Sequence, residues 1–388
     1  EAIDSDTVRI HYYNRDTEEP MPAAYAYLLC IPILPMHKLQ AYTPGYIGFT
    51  WTGVFDGEEF PIVGTGPFTA TEYIWDEYNE GDHITLVKNP NYHWGIDRGM
   101  TVNFDKVIMY FYDDASAMDQ SLRGGDLDIA QFPPQTYLGI KNDVISGALE
   151  DVEYFDGIKC TQYWTEIGIN YAEDGPNQAR LDPAVRQAMA MSTNKTYIRN
   201  TFYAGLADEG TTLISPVNTK WHYEPTEAEL YPFDTDAASA LLEEAGYSYP
   251  DGGGDYRVVT ADSLAYENDW ADVGDELVFD MLIRREYPEE REIANYLKQV
   301  WAEAGINLEY RVVDEVTLST EVYKYKYDTM IWYWSADADP NYMLFCQGGQ
   351  AIGGWNDNAY DNASYNENYL LSVAEMNETQ RKVYTDEC

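Results

Sequence analysis

The sequence predicts an α/β fold spread over two or three domains. Strand-like and helix-like patterns alternate along it, its 388 residues exceed what one small core organises, and 45% of them are apolar with 15% aromatic. That composition excludes a disordered chain, which would be poor in such residues. The first readable unit has Phe104 to Tyr112 as a strand, Ser116 to Arg123 as a helix stopped by Gly124, and Leu127 to Gln131 as a returning strand. Further on, Asp182-Pro183 caps and starts a helix carrying Val185, Ala188 and Met189 on one side, and Asn194 caps the next, with Tyr197, Ile198 and Phe202. A third capped helix runs from Asp234 to Gly246 with Leu241 and Leu242 inward. The Asp251-Gly252-Gly253-Gly254-Asp255 stretch reads as a surface loop.

The clearest pattern lies between Leu277 and Trp334. Leu277 to Ile283 is a nearly continuous apolar run, the mark of a strand covered on both faces. Pro288 suits a first helical turn, and Ile293, Leu297, Val300, Trp301 and Ala304 then form one apolar stripe, closed by Gly305. Leu308, Tyr310 and Val312 alternate with polar residues as a strand does, and Asp328 to Trp334 supplies another strand after an intervening helix. The unit is β-α-β-α-β, which calls for a sheet with crossover connections.

Charge narrows the partners. With 67 acidic residues against 24 Lys and Arg, the net charge of -43 repels nucleic acid and anionic membrane surfaces. No segment approaches the ~18 consecutive apolar residues of a membrane-spanning helix, and Glu1 opens a polar run instead of a signal peptide. The last helix, up to Cys388, lacks a stop signal, so both ends read as truncations.

Enzyme and cofactor signatures are missing. There is no G-x-S-x-G, no P-loop and no H-E-x-x-H, and Gly64-Thr65-Gly66-Pro67 breaks off a dinucleotide fingerprint after two glycines. Carboxylates are too abundant for any pair to single itself out as general acid and base. Cys30, Cys160, Cys346 and Cys388 form no CxxC pair; a Cys160–Cys346 bridge and free buried thiols are both open readings. Neither a metal nor a cofactor is expected.

One cluster stands apart. Trp332-Tyr333-Trp334-Ser335-Ala336-Asp337-Ala338-Asp339-Pro340 sets aromatic residues at the carboxyl end of a strand and acids in the turn after it, where open α/β sheets bind ligands. A carboxylate beside an indole suits an ammonium group, through a charge-assisted hydrogen bond and a cation–π contact. The competing reading is a polar turn whose Asp caps backbone groups.

Gly64-Thr65-Gly66-Pro67-Phe68 and Val87-Lys88-Asn89-Pro90-Asn91-Tyr92-His93-Trp94-Gly95 resemble the GTGPF … NPxYWG signature of the family 5 extracellular solute-binding proteins, with His93 inserted before the Trp. Leu122 to Ala130 and Leu181 to Met189 are similar to two further motifs of that family, in the same order. The resemblance implies a two-lobed periplasmic-binding-protein-like fold with an additional small subdomain, here incomplete. On that template residues 1–58 end the small subdomain, 59–160 belong to ligand lobe I and 161–388 to ligand lobe II, with the return to lobe I missing.

It also implies a function: capture of di- or oligopeptides outside the membrane, in the periplasm or as a lipid-anchored protein, by a monomer that delivers them to an ABC permease. A nickel chelate, haem or an oligosaccharide are the alternative ligands on the same scaffold, and a secreted carbohydrate-active enzyme is the rival from another class. Asp337, three places after Trp334, matches the family Asp that pairs with a ligand's ammonium end. Arg285, or Arg284 in its place, sits near where dipeptide binders hold a carboxylate, for which a guanidinium fork is suited. Tyr287 and Trp334 would then be aromatic walls, Asp339 a supporting or turn residue, and Tyr333, on the other side of the strand, packing.

Overall fold

The computed structural model describes residues 3–4, 7, 9, 54–55, 58–59, 65–74, 83–112, 114–155, 163–173 and 175–388. The small subdomain expected over residues 1–58 falls almost wholly outside them, as do Cys30 and Cys160. The chain divides into two units, Ile31–Tyr154 and Phe155–Cys388, the latter taking in Glu1–Cys30.

In the first unit, β1 (Phe68–Ile74), β2 (His83–Lys88) and β3 (Lys106–Tyr110) form an antiparallel sheet in that order, with Phe68 opposite Lys88 and Val87 opposite Lys106. Helix α1 (Ala115–Gly124) is started by Asp114, whose carboxylate accepts the amides of Ser116 and Ala117, each at 2.8 Å. Arg123 near its end reaches Asp119 at 2.8 Å and Asp143 at 2.7 Å, tying α1 to α2 (Pro134–Ser146). Two sequence expectations change here. The left-handed stop is Gly125, with φ of 80°, one residue after Gly124. Leu127 to Gln131 is not a strand. Ile129 in its middle is 91% exposed, so an alternating pattern without a partner ladder or a core to face has nothing to hold it extended.

The second unit is built on a sheet of β4 (Tyr163–Ile169), β5 (Val278–Arg284), β6 (Asn307–Val313) and β7 (Thr329–Ser335), in the spatial order β6-β5-β7-β4. Strands β6, β5 and β7 run parallel, and β4 is antiparallel to β7, with Trp164 opposite Trp334 and Glu166 opposite Trp332. Before the parallel strands come α3 (Pro183–Met191), α4 (Lys195–Thr201) and α5 (Thr235–Glu244). The caps read in the sequence form as expected: Asp182 accepts the Ala184 amide at 2.8 Å and Asn194 that of Tyr197 at 2.8 Å.

Helix α6 (Pro288–Glu303) connects β5 to β6, and α7 (Glu315–Val322) connects β6 to β7, so the predicted β-α-β-α-β unit is present. Gly305, with φ of 87°, ends α6 as its sequence position requires. The two helices cover opposite faces of the sheet. Phe279, Met281, Ile283 and Ile331 pack under α3, α5 and α6, with Val185, Ala188, Leu242, Leu297 and Trp301. The Trp301 indole also donates to Thr193 Oγ1 at 3.1 Å. On the other face, Leu282 and Met330 meet Leu318 and Val322 of α7. Strand residues alternate between these two cores because successive side chains point to opposite faces.

Three further helices, α8 (Asn341–Cys346), α9 (Ala363–Ala374) and α10 (Glu378–Glu387), complete the unit. Leu344, Tyr365, Tyr369 and Val373 close around Ile214 and Trp221. Cys346 is a buried thiol, free among the described residues and pushed up to about 12 by desolvation, while the Cys160 side of the candidate bridge lies outside them.

Candidate functional site

A parallel sheet ordered β6-β5-β7 reverses its winding direction at β5, and the carboxyl ends of β5 and β7 are where open sheets of this kind bind ligands. Arg284 is the last residue of β5 and Ser335 the last of β7, so all six sequence-nominated residues lie at this edge or in the segments leaving it.

Arg284 is 2% exposed and fully engaged with protein carboxylates. Its Nε donates to Glu290 Oε1 at 2.9 Å, Nη2 donates to the same oxygen, and Nη1 donates to Glu315 Oε2 at 3.1 Å. The backbone amide of Arg284 donates to Glu290 Oε2 at 2.7 Å. Its guanidinium lies 3.9 Å from the ring centre of Tyr287, 4.5 Å from Tyr333 and 5.2 Å from Trp332. Burial opposes the charge on Arg284, but the hydrogen bond and charge of Glu290 outweigh it and hold the group above the ordinary arginine range. Arg285, by contrast, is exposed; its amide donates to the Val313 carbonyl at 2.8 Å, and its charge reaches Asp314, the cap of α7.

Aromatic residues gather around the same arginine. Tyr333 stacks on Tyr163 with ring centres 5.3 Å apart, Tyr287 stands 6.4 Å from Tyr333, and the Tyr333 hydroxyl donates to Glu315 at 3.1 Å. Tyr333, expected to be packing, is half-buried at this edge. Trp334 points the other way. It is 6% exposed, in the core with Met343 and Cys346 and edge-on to Tyr342 at 6.2 Å.

Beneath Trp334 lies a sealed polar patch. Burial pushes the Glu166 carboxyl up to about 7; the Trp334 indole and the Asn358 side chain offset part of that rise, yet Glu166 Oε1 lacks a hydrogen bond of normal geometry. Asp357 is likewise pushed up to about 7, by burial first and by the nearness of Glu166 second.

The turn after β7 separates its two acids. Asp339 accepts both guanidinium nitrogens of Arg381 at 2.7 Å and the Asn341 amide at 2.9 Å, so it fastens α10 to the start of α8. Arg381 itself lies 4.8 Å over Trp221. The carbonyl of Ala338 accepts from Asn218 at 3.0 Å. Just before these anchors, half-buried Asp337 has no hydrogen bond or ion pair among the described residues. The backbone is held on one side of it while its carboxylate is unspent.

Sequence reasoning missed Tyr163, Glu290 and Glu315. Glu290 and Glu315 sit in the first turns of α6 and α7, where an acid is favoured by the exposed amides, so local pattern explains them without reference to Arg284. Tyr163 comes from β4, far back in the chain, and only the ladder with β7 brings it to Tyr333.

In the other unit, the two glycine- and proline-rich motifs form a structural clasp. Asn89 donates its amide to the Pro67 carbonyl and its side-chain nitrogen to the Gly66 carbonyl, each at 2.9 Å, locking the end of β2 against the start of β1. A Cβ on Gly95 would stand 2.4 Å from the Tyr92 ring, which explains the glycine. Thr65, Gly66, Pro67, Tyr92, His93 and Trp94 line an open hollow there.

Comparison with known proteins agrees with this architecture. A putative ABC transporter peptide-binding protein of Brucella ovis is 25% identical over 316 residues, 79% of this chain and 48% of that protein. Heme-binding protein A of Haemophilus influenzae is 25% identical over 327 residues, 83% of this chain and 51% of the other. The chain thus spans about half the length of the curated relatives it matches. Among solved structures, the oligopeptide-binding protein AppA of Bacillus subtilis, in complex with a nonapeptide, superposes with a TM-score of 0.69 at 18% identity, covering 92% of this chain and 62% of that one. NikZ of Campylobacter jejuni, in complex with Ni(L-His), gives 0.70 at 18% identity, covering 95% and 65%. These likenesses establish the periplasmic-binding-protein fold. The family model for the middle part of the bacterial extracellular solute-binding proteins, family 5, matches residues 1–355, and the chain belongs to that family.

Proposed function

We propose that this chain is the ligand-holding part of an extracytoplasmic binding protein that captures peptides and hands them to an ABC permease, without covalent chemistry. The observation that carries this reading is Asp337, unspent in a turn whose following residues Ala338 and Asp339 are fastened, at the carboxyl edge where the sheet winding reverses. An ammonium group placed there gains a charge-assisted hydrogen bond, and the tyrosines at the same edge offer faces for the rest of the ligand. Relatives named as a putative ABC transporter peptide-binding protein, a dipeptide-binding protein and a di/tripeptide-binding protein support the same class of ligand. No helix among the described residues is long and apolar enough to cross a membrane.

The test is peptide binding by the intact protein, purified without denaturation and freed of carried-over ligand. Asp337→Asn is expected to weaken binding by about 2–4 kcal/mol, thirtyfold to several hundredfold in Kd, as when one partner of a desolvated charge pair is removed. Unchanged affinity in calorimetry would remove Asp337 from the site.

A further inference from the structure

Beneath Trp334 stand oxygen acceptors that the protein itself leaves unsatisfied. Trp164, Glu166 and Gly168 share one face of β4, as alternate residues of a strand do, and their partners on β7 are Trp334, Trp332 and Met330. The segment between α8 and α9 closes over this face. A Cβ on Gly168 would stand 2.7 Å from Asn358 Oδ1, so the glycine lets the segment seat there. The segment is fastened through its backbone. The Asn356 carbonyl accepts from the Tyr325 hydroxyl at 2.9 Å, that of Asp357 from the Tyr327 hydroxyl, and that of Asn358 from the Tyr171 amide at 2.7 Å. Asn356 adds its side-chain nitrogen to the carbonyls of Gly348 and Tyr360.

The side chains of the next two residues are not committed in this way. Asp357 is 4% exposed, and its carboxylate has no hydrogen bond or ion pair among the described residues. Asn358 is 9% exposed; its side chain reaches Glu166, yet its Oδ1 has no partner, and neither has Glu166 Oε1. Buried acceptors without donors are costly, and these, drawn from two distant parts of the chain, call for a ligand that supplies positive charge. Water alone would satisfy the oxygens and leave two carboxylates without a counter-charge. Arg180, whose charge is felt at Tyr327, is held by Asp328 at 3.4 Å and by backbone carbonyls. The other titratable groups beside the pair, Tyr323, Tyr327 and Cys346, are all pushed upward by burial and are neutral neighbours at pH 7. The Trp334 indole is set on Glu166 as the donor behind a ligating carboxylate is.

We propose that Glu166, Asp357 and the Asn358 side-chain oxygen hold one calcium ion, which pins the segment between α8 and α9 to β4. Two carboxylates match its double charge. An all-oxygen donor set suits calcium over zinc, which seeks thiolate and imidazole, and a shell drawn from protein oxygens suits it over magnesium, which keeps its waters. The ion is structural, and its site does not depend on the reading of Asp337.

The experiment titrates calcium chloride into the intact protein, stripped with EDTA, in about 0.5 M sodium chloride to screen the acidic surface. At pH 8 calcium is expected to bind at one site that magnesium occupies at least tenfold more weakly, and about 1 mM calcium should raise the thermal midpoint by several degrees. Protons compete for the two carboxyls, held near 7 without the ion, so affinity should fall at least tenfold from pH 8 to pH 6. Glu166→Gln and Asp357→Asn should each remove the calcium response; both variants keep the shape of the side chain and delete a buried charge, so they fold. A rise of the midpoint as large in both variants as in the parent would assign calcium to the acidic surface and overturn the proposal. An unchanged midpoint and no heat of binding in the parent would overturn it as well, leaving the two acids to be neutralised by protons alone.

Discussion

Glu166 and Asp357 are acids that the ligand-binding reading does not use, and they set a pH dependence of their own. Each is held near 7 when folded, against ordinary values of 4.5 and 3.8. Between those limits the folded chain keeps protons that the unfolded chain has released, so stability falls as pH rises from about 4.5 to about 7 and is level above that. At about 1.4 kcal/mol per unit, each of the two carboxyls costs the folded state a few kcal/mol at pH 8. The double variant Glu166→Gln, Asp357→Asn should flatten the urea-unfolding free energy between pH 5 and pH 8 and raise it at pH 8. An unchanged slope would mean the two carboxyls titrate normally. The same scale explains why Trp334 lies in a core and Tyr333 half-buried at the sheet edge. Alternation fixes that the two point to opposite faces, but not which face holds α8 and the core.

At the scale of elements, helix caps and glycine stops carry the local specification, and their costs are separable. Gly246, after α5, has φ of 83°, and a Cβ there would stand 2.6 Å from the Ser263 backbone nitrogen. Gly274, with φ of 95°, has nothing within 4 Å. Replacing Gly274 by Ala should cost about 1–2 kcal/mol, the price of a left-handed residue alone. Gly246→Ala should cost about 2 kcal/mol more, because backbone cannot move aside as a side-chain tip can. Chemical denaturation of both variants measures the difference, and equal losses would show that the loop at 262–263 yields freely. The Leu127 to Gln131 segment is the counterexample at this scale. It has a strand pattern, but lacks a neighbouring ladder among the described residues.

For the whole molecule the dominant quantity is the net charge of -43. Self-repulsion of that size destabilises the compact state and is relieved by screening. The thermal midpoint is therefore expected to rise by several degrees between about 10 mM and 1 M sodium chloride, where the Debye length falls from about 30 to 3 Å; a flat or falling midpoint in a circular-dichroism melt would refute this. The sequence by itself determined the β-α-β-α-β unit with its stop at Gly305, the caps at Asp182 and Asn194 ahead of it, and the family. Those features rest on periodicity and on side chains bonding to backbone within a few residues, which linear order displays. Only the tertiary structure decided what each charged residue at the edge is bonded to. Arg284 meets Glu315 across 31 residues and Asp339 meets Arg381 across 42, while Asp337 between them is left unspent. In a chain with acids everywhere, which of them an arginine meets is set by strand order and crossover, and no local pattern encodes it.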